Sequence, residues 1–153
     1  MPIALPATEV TPVNLSKLRG RTVVYVYPRT GVPGVDTPDG WDQIPGARGC
    51  TPQSCSFHDH SSSRAWASRS SMVCRHRTPP IRRRRRRGCT CRLRFLSDEK
   101  LTLTRALNLP TFSTELKRMA LVIDDNTITK VFYPVFPPDK NAAEVIAWLQ
   151  RSR

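Results

Sequence analysis

The chain has 153 residues, a length suited to one domain that buries roughly two-thirds of the surface its unfolded form exposes. It holds no run of about 18 apolar residues, so no helical membrane span is expected. The net charge of +13 suggests a nucleic-acid partner only until its distribution is considered. Residues 61–94 carry 12 arginines, no lysine and no acid, which leaves 13 basic against 12 acidic residues elsewhere, a net of +1. The basicity belongs to one segment and not to a domain face.

Residues 1–7, with two prolines and no charge ahead of the apolar positions, do not read as a signal peptide. Residues 14–20 form a short lead-in, with Leu15 and Leu18 to one side and Gly20 ending it. Residues 22–27, Thr-Val-Val-Tyr-Val-Tyr closed by Pro28, predict a central strand covered on both faces and parallel to its neighbours. Residues 29–49 are a loop rich in Pro, Gly and Asp, with Trp41 as its large apolar anchor. A loop of that length in a compact domain is usually functional.

The loop leads to Pro45-Gly-Ala-Arg-Gly-Cys50-Thr-Pro-Gln-Ser-Cys55. Thr51 as N-cap and Pro52 at the first helical position predict a helix with Cys50 at its mouth. Unpaired amides and the macrodipole favour an anion there, and Arg48 adds a cation two residues away. Both effects favour the thiolate, the nucleophilic form of cysteine. A reducing, cytoplasmic location is expected, where a thiol pair is more often catalytic than structural. An inert surface thiol or a structural pair is the alternative.

Beyond residue 94, Ser97 is placed to cap a helix running to about Leu107. Leu103, Ala106 and Leu107 share a face of it, and Asn108 and Pro110 stop it. Residues 119–123 predict a buried strand, 124–126 a turn and 127–133 an alternating strand, so that 119–133 is a β-hairpin. Asn141 with Glu144 forms a capping pair for a last helix, whose apolar stripe is Ala142, Val145, Ile146 and Leu149.

This order, with Tyr25-Val-Tyr-Pro28, Cys50-x4-Cys55, Leu96-Ser-Asp-Glu99 and Arg118-Met-Ala-Leu-Val-Ile-Asp124, resembles the peroxiredoxins, and among them the bacterioferritin-comigratory type. The resemblance covers about residues 13–60 and 95–150. It implies a single α/β domain over 1–153 with a thioredoxin-like fold. It also implies an antioxidant oxidoreductase, a thiol peroxidase that reduces hydrogen peroxide or organic hydroperoxides without cofactor or metal. By the same resemblance, Cys50 would be the peroxidatic cysteine and become a sulfenic acid. Cys55 would condense with it to a redox-active disulfide, reduced by a thioredoxin-like or other thiol partner. Arg118 would match the arginine that stabilises the thiolate and polarises the peroxide. The alternative for Arg118 is a solvated charge opening an edge strand. No membrane or nucleic-acid partner is implied.

One departure concerns the residues before the cysteine. The family pattern has Pro and Thr or Ser seven and three residues ahead of it, where Gln43 and Ala47 stand here. An insertion separates Pro28 and Thr30 from Cys50, and Thr30 supplies the missing hydroxyl only if the loop folds back.

The segment 61–94 fits none of this. No period of 2 or 3.6 runs through it, and the six adjacent arginines at 82–87 repel one another. It is expected to be irregular or disordered in place of a strand and a helix, leaving the chain unstable or inactive as it stands. Joining the third base of each codon to the first two of the next gives a different picture. Permitted codons for 67–81 then spell Val-Glu-Val-Val-Tyr-Gly-Leu-Ser-Thr-Gln-Asp-Thr-Ala-Tyr, a strand, a turn and a helix start. The arginine run becomes mostly Ala and Glu. Two compensating single-base shifts near residues 61 and 94 account for this. The rival reading is an arginine-rich arm that binds nucleic-acid phosphates. It lacks interleaved aromatics apart from Trp66. Cys74, Cys89 and Cys91, or Cys50, Cys55, His58 and His60, lack the paired spacing of a zinc site, so no metal is expected.

Overall fold

The computed structural model describes residues 4–7, 11–28, 34, 36–37, 39–60, 69–74, 94–112 and 115–152. Two short strands, β1 (Ala4–Leu5) and β2 (Val13–Asn14), pair antiparallel ahead of a 3-10 turn over Leu15–Lys17. The Asn14 side chain accepts from the Ser16 amide at 3.0 Å and starts that turn. Gly20, at φ +70, then directs the chain into β3 (Arg21–Tyr27).

β3 is the middle of a five-stranded sheet whose other members are β4 (Arg69–Cys74), β5 (Arg94–Ser97), β8 (Met119–Asp124) and β9 (Thr127–Phe132). The strand order is β5-β4-β3-β8-β9. β6 (Thr111–Phe112) and β7 (Glu115–Leu116) form a separate antiparallel pair just before β8. β3 runs parallel to β4 but antiparallel to β8, so the expected all-parallel setting holds on one side only. The other side comes from the hairpin, whose strands must return antiparallel.

Period-2 alternation splits the buried run of β3 between two cores. Val24 and Val26 join Leu121, Ile123, Leu96, Leu103 and the N-terminal Leu5 and Leu15 on one face. Val23, Tyr25 and Tyr27 join Ala120, Val122, Phe57 and the apolar stripe of the last helix on the other. Among the described residues, three helices cover these faces: α1 (Cys50–Asp59), α2 (Thr102–Leu107) and α3 (Asn141–Arg151). α1 and α3 lie together on the second face, where Phe57 stacks on Tyr25 with ring centroids 4.2 Å apart. Because α1 belongs to the β3–β4 crossover, its first residue emerges beyond the carboxyl end of β3, where open α/β sheets place their sites.

The hairpin forms as predicted. Asp125 and Asn126 take φ of 42 and 71, the left-handed pair that a two-residue turn requires, and the Gly20 amide donates to Asp125 Oδ1 at 2.8 Å. Irregular chain throughout 61–94 is corrected at two places. Arg69–Cys74 is a strand between β3 and β5, with Thr22 opposite Arg69 and Val26 opposite Val73. It precedes the arginine run, and Met72-Val-Cys74 has the apolar character that a strand tolerates. Arg94–Ser97 is the edge strand β5, so Ser97 ends a strand and caps no helix. Asp98 takes that role: its carboxylate accepts from the Leu103 and Thr104 amides at 2.9 Å and from Thr104 Oγ1 at 2.6 Å. The remaining residues of that segment, 61–68 and 75–93, with Cys89, Cys91 and the arginine run, lie outside the described residues. Among the described residues no helix is long and apolar enough to cross a membrane.

Candidate active site

A turn formed by 44–49 sets up the site. The Ala47 amide donates to Ile44 O at 3.0 Å and the Gly49 amide to Gly46 O at 2.9 Å. Gly49 then caps α1, and the first helical bond runs from the Gln53 amide to Gly49 O. The helix therefore starts two residues earlier than Thr51 as N-cap implied. Cys50 is its first residue, and Pro52 is the third, still within the turn where an N–H has no helical partner to lose. α1 ends at Asp59 with His60 as its C-cap.

Two glycines bring another segment against this turn. A Cβ on Gly49 would lie 2.2 Å from Pro138 Cγ, and one on Gly46, at φ +74, 3.1 Å from the same atom. Pro138 opens a 3-10 turn (Pro138–Lys140) that feeds α3. The glycines thus let the start of α3 close over the start of α1.

Arg118 lies just ahead of β8 and is 6% exposed, which excludes the solvated-charge alternative. Its Nη2 is 3.5 Å from Cys50 Sγ and donates to Gly46 O at 2.8 Å, while Nη1 donates to Gln53 Oε1. Cys50 Sγ also lies 3.9 Å from Ala47 O. A guanidinium offers donors only, so the sulfur facing it acts as acceptor. Arg48 does not serve as the neighbouring cation. It is exposed and forms a two-pronged pair with Asp42 at 2.7 and 2.9 Å. That hydrogen bond holds the Asp42 carboxyl below the usual range and raises Arg48 in turn.

Gln53 and Asn141 were not singled out as site residues, yet both are completely buried here. Gln53 Nε2 donates to Asn141 Oδ1 at 3.0 Å. The available signal was spacing, since a residue three positions after Cys50 shares its helix face. Asn141 was read as a cap. Instead it lies inside the first turn of α3, whose N-cap is Lys140, and its side chain points to Gln53. Cys55 is exposed, five residues along α1.

Of the other expected positions, Ala47 is buried, Gln43 is exposed and Thr30 lies outside the described residues. Pro28 remains at the site, lining a cavity of about 180 Å³ together with Trp41, Arg118, Phe112, Tyr133 and Phe136. Its wall is mostly apolar, and Arg118 is the charged group it shares with the thiol. Among the described residues no group of three His, Cys, Asp or Glu side chains is placed to hold a metal.

A mixed five-stranded sheet, with a thiol on the helix following its middle strand and a buried arginine beside that thiol, defines a protein of thioredoxin-like fold. The Redoxin family model matches residues 1–146, and the chain belongs to that family. No curated protein matches it in sequence. Among solved structures it is similar to the peroxidoxin BcpB of Mycobacterium tuberculosis, at 24% identity and a TM-score of 0.70 over 100% of this chain and 94% of that one. It is also similar to the bacterioferritin comigratory protein of Xanthomonas campestris, described for its alkyl peroxide reduction activity, at 16% identity, TM-score 0.72, covering 98% and 90%. A cysteine-to-serine mutant of PrxQ from Xylella fastidiosa gives 18% identity, TM-score 0.72, covering 97% and 88%.

Proposed function

We propose that the chain is a peroxiredoxin, reducing hydroperoxides with Cys50 as the attacking thiol. The observation that carries this is the buried guanidinium of Arg118 at 3.5 Å from Cys50 Sγ, at a helix N-terminus. Family membership and peroxiredoxin-type neighbours support the same reading.

The thiolate of Cys50 attacks the terminal peroxide oxygen. An S–O bond forms, the O–O bond breaks, and its electron pair leaves on the alcohol or water oxygen, which takes a proton. Arg118 faces both the sulfur and the apolar cavity, so it can offset charge on the departing oxygen. The cavity's walls favour a hydroperoxide with an apolar substituent. The Cys55 thiol then attacks the sulfenic sulfur, forming S–S and releasing water, and an external dithiol reduces the disulfide. Cys55 lies about 7.5 Å along the helix axis and roughly 140° around it from Cys50 by ideal helix geometry. Two such thiols cannot bond until α1 opens.

Hydroperoxide consumption with a dithiol reductant tests this. Cys50→Ser should abolish turnover. Without the dithiol, Cys55→Ser should reduce one hydroperoxide per chain and stop as a sulfenic acid. Turnover that persists in Cys50→Ser would refute the assignment.

A further inference from the structure

We infer that Asn141 is a positioning residue for the thiol site, acting through Gln53 on Arg118. This rests on the roles given above to Cys50 and Arg118 and extends the site to the last helix. The contacts admit one polarity. Arg118 has only donors, so the Gln53 amide must turn its oxygen to Nη1 and its nitrogen away. That nitrogen donates to Asn141 Oδ1 at 3.0 Å, which fixes the second amide as well. Asn141 Nδ2 is left buried with no partner among the described residues.

A buried amide N–H without a partner is unfavourable, and a leucine of similar size would fill the same space without one. What asparagine supplies in exchange is an acceptor aimed at Gln53. With that acceptor gone, the Gln53 amide can reverse and present its own donors to the guanidinium. Arg118 then loses a partner on the side away from the sulfur, and its Nη2 is no longer held at Cys50. Gly49 and Pro138 give the relay its rigidity, because the close approach at that point ties the start of α3 to the start of α1.

The test follows Cys50 alkylation by iodoacetamide as a function of pH, read on the Cys50 peptide by mass spectrometry. N141L and Q53L should each slow alkylation near neutral pH by about tenfold and displace the profile to higher pH, the worth of one hydrogen bond to a charged group. The double variant should be no slower than either single one, since both interrupt one chain of contacts. L149A, on the same helix without a polar link to the site, should lower thermal stability and leave the profile in place. Circular dichroism on each sample establishes that the helices remain. Should N141L not fold, N141S, whose hydroxyl is too short to reach Gln53, carries the same expectation. An unchanged profile in the folded Asn141 variant, or additive losses in the double variant, would overturn the inference. Rapid Cys50 alkylation in a chain that consumes no hydroperoxide would defeat the peroxidase reading and leave the relay standing.

Discussion

Arg118 Nη2 lies 3.5 Å from Cys50 Sγ, and the same nitrogen is anchored at 2.8 Å on the Gly46 carbonyl. The guanidinium thus spans the sulfur, a backbone oxygen and, through Nη1, the Gln53 amide. A single ammonium cannot match that fork. Arg118→Met should lower kcat/KM for hydroperoxide by about 10–100-fold, the range of a hydrogen bond to a charged group. Arg118→Lys should fall between Met and the parent. Stopped-flow peroxide consumption measures both, and a Met variant as fast as the parent would remove Arg118 from the reaction.

The contact between Gly49 and Pro138 yields a steric prediction. Gly49 has an ordinary negative φ of −85, so alanine is not strained by its backbone. Its Cβ would nevertheless lie 2.2 Å from Pro138 Cγ and 2.6 Å from Pro138 Cβ. Gly49→Ala should cost about 1–3 kcal/mol, the usual range for overpacking. Adding Pro138→Ala should recover part of the loss, because Cγ is gone while Cβ, at 2.6 Å, stays. Urea unfolding of the single and double variants measures this. A double variant as unstable as Gly49→Ala alone would rule out the clash as the cause.

The parts of the fold written in local pattern were legible. The β-branched run of β3, the Asp125-Asn126 turn and the stripe of α3 each follow from a short-range period or turn chemistry. Cys50 was legible for the same reason, since a helix start is a local event. Arg118 had two readings because burial depends on partners 65 to 72 residues away, which no local pattern encodes. Asn141 misled because asparagine favours caps, and the buried amide of Gln53, 88 residues earlier, outcompeted that role. The strand at Arg69–Cys74 was missed because its first half, Arg-Ser-Ser, lacks the alternation or apolar run that marks a strand. Its place is fixed instead by backbone pairing on both sides.

Asp98 shows the same competition on a smaller scale. It is 1% exposed and satisfies two amides and a hydroxyl at the start of α2. Asp98→Ala should cost about 2 kcal/mol, combining a lost cap with buried donors left unpaired. Asp98→Asn keeps one acceptor oxygen and should cost less. Thermal unfolding ranks the two, and equal losses would show that the second oxygen contributes nothing.

Acid sensitivity should trace in part to Asp124. A hydrogen bond from Arg21 Nε at 2.7 Å holds its carboxyl below the usual range, against an opposing effect of burial, with Thr129 assisting. A carboxyl lowered in the folded state contributes stability above its unfolded value, near 3.9. That contribution disappears as pH falls through the lowered folded value. Both side chains are about one-third exposed, so solvent screens the pair and the contribution is about 0.5 kcal/mol. Asp124→Asn should be less stable than the parent at neutral pH, and the difference should close below about pH 4. Chemical denaturation at several pH values tests this, and a gap that widens in acid would refute it.

The slot filled by β4 gives the alternative reading frame a structural test. β4 lies between β3 and β5, hydrogen-bonded on both sides. Strands flanked on both sides in parallel register usually read as continuous apolar runs. Arg69-Ser-Ser-Met-Val-Cys74 opens instead with a cation and two hydroxyls. The shifted frame places Val-Val-Tyr-Gly-Leu at the same positions, without changing the chain length. Each large apolar side chain that a central strand buries contributes about 1.5–3 kcal/mol. Four such side chains in place of Met72 and Val73 are a net gain of two, a large share of the stability of a domain this size. A gene resynthesised in the shifted frame between residues 61 and 94 should therefore yield a chain with a sharper, higher thermal transition by circular dichroism. Its hydroperoxide turnover should exceed that of the chain as it stands, since the β3–β4 crossover carries Cys50. Equal transitions and equal turnover in the two chains would show that the arginine-rich segment is tolerated and that the shifted frame is coincidence.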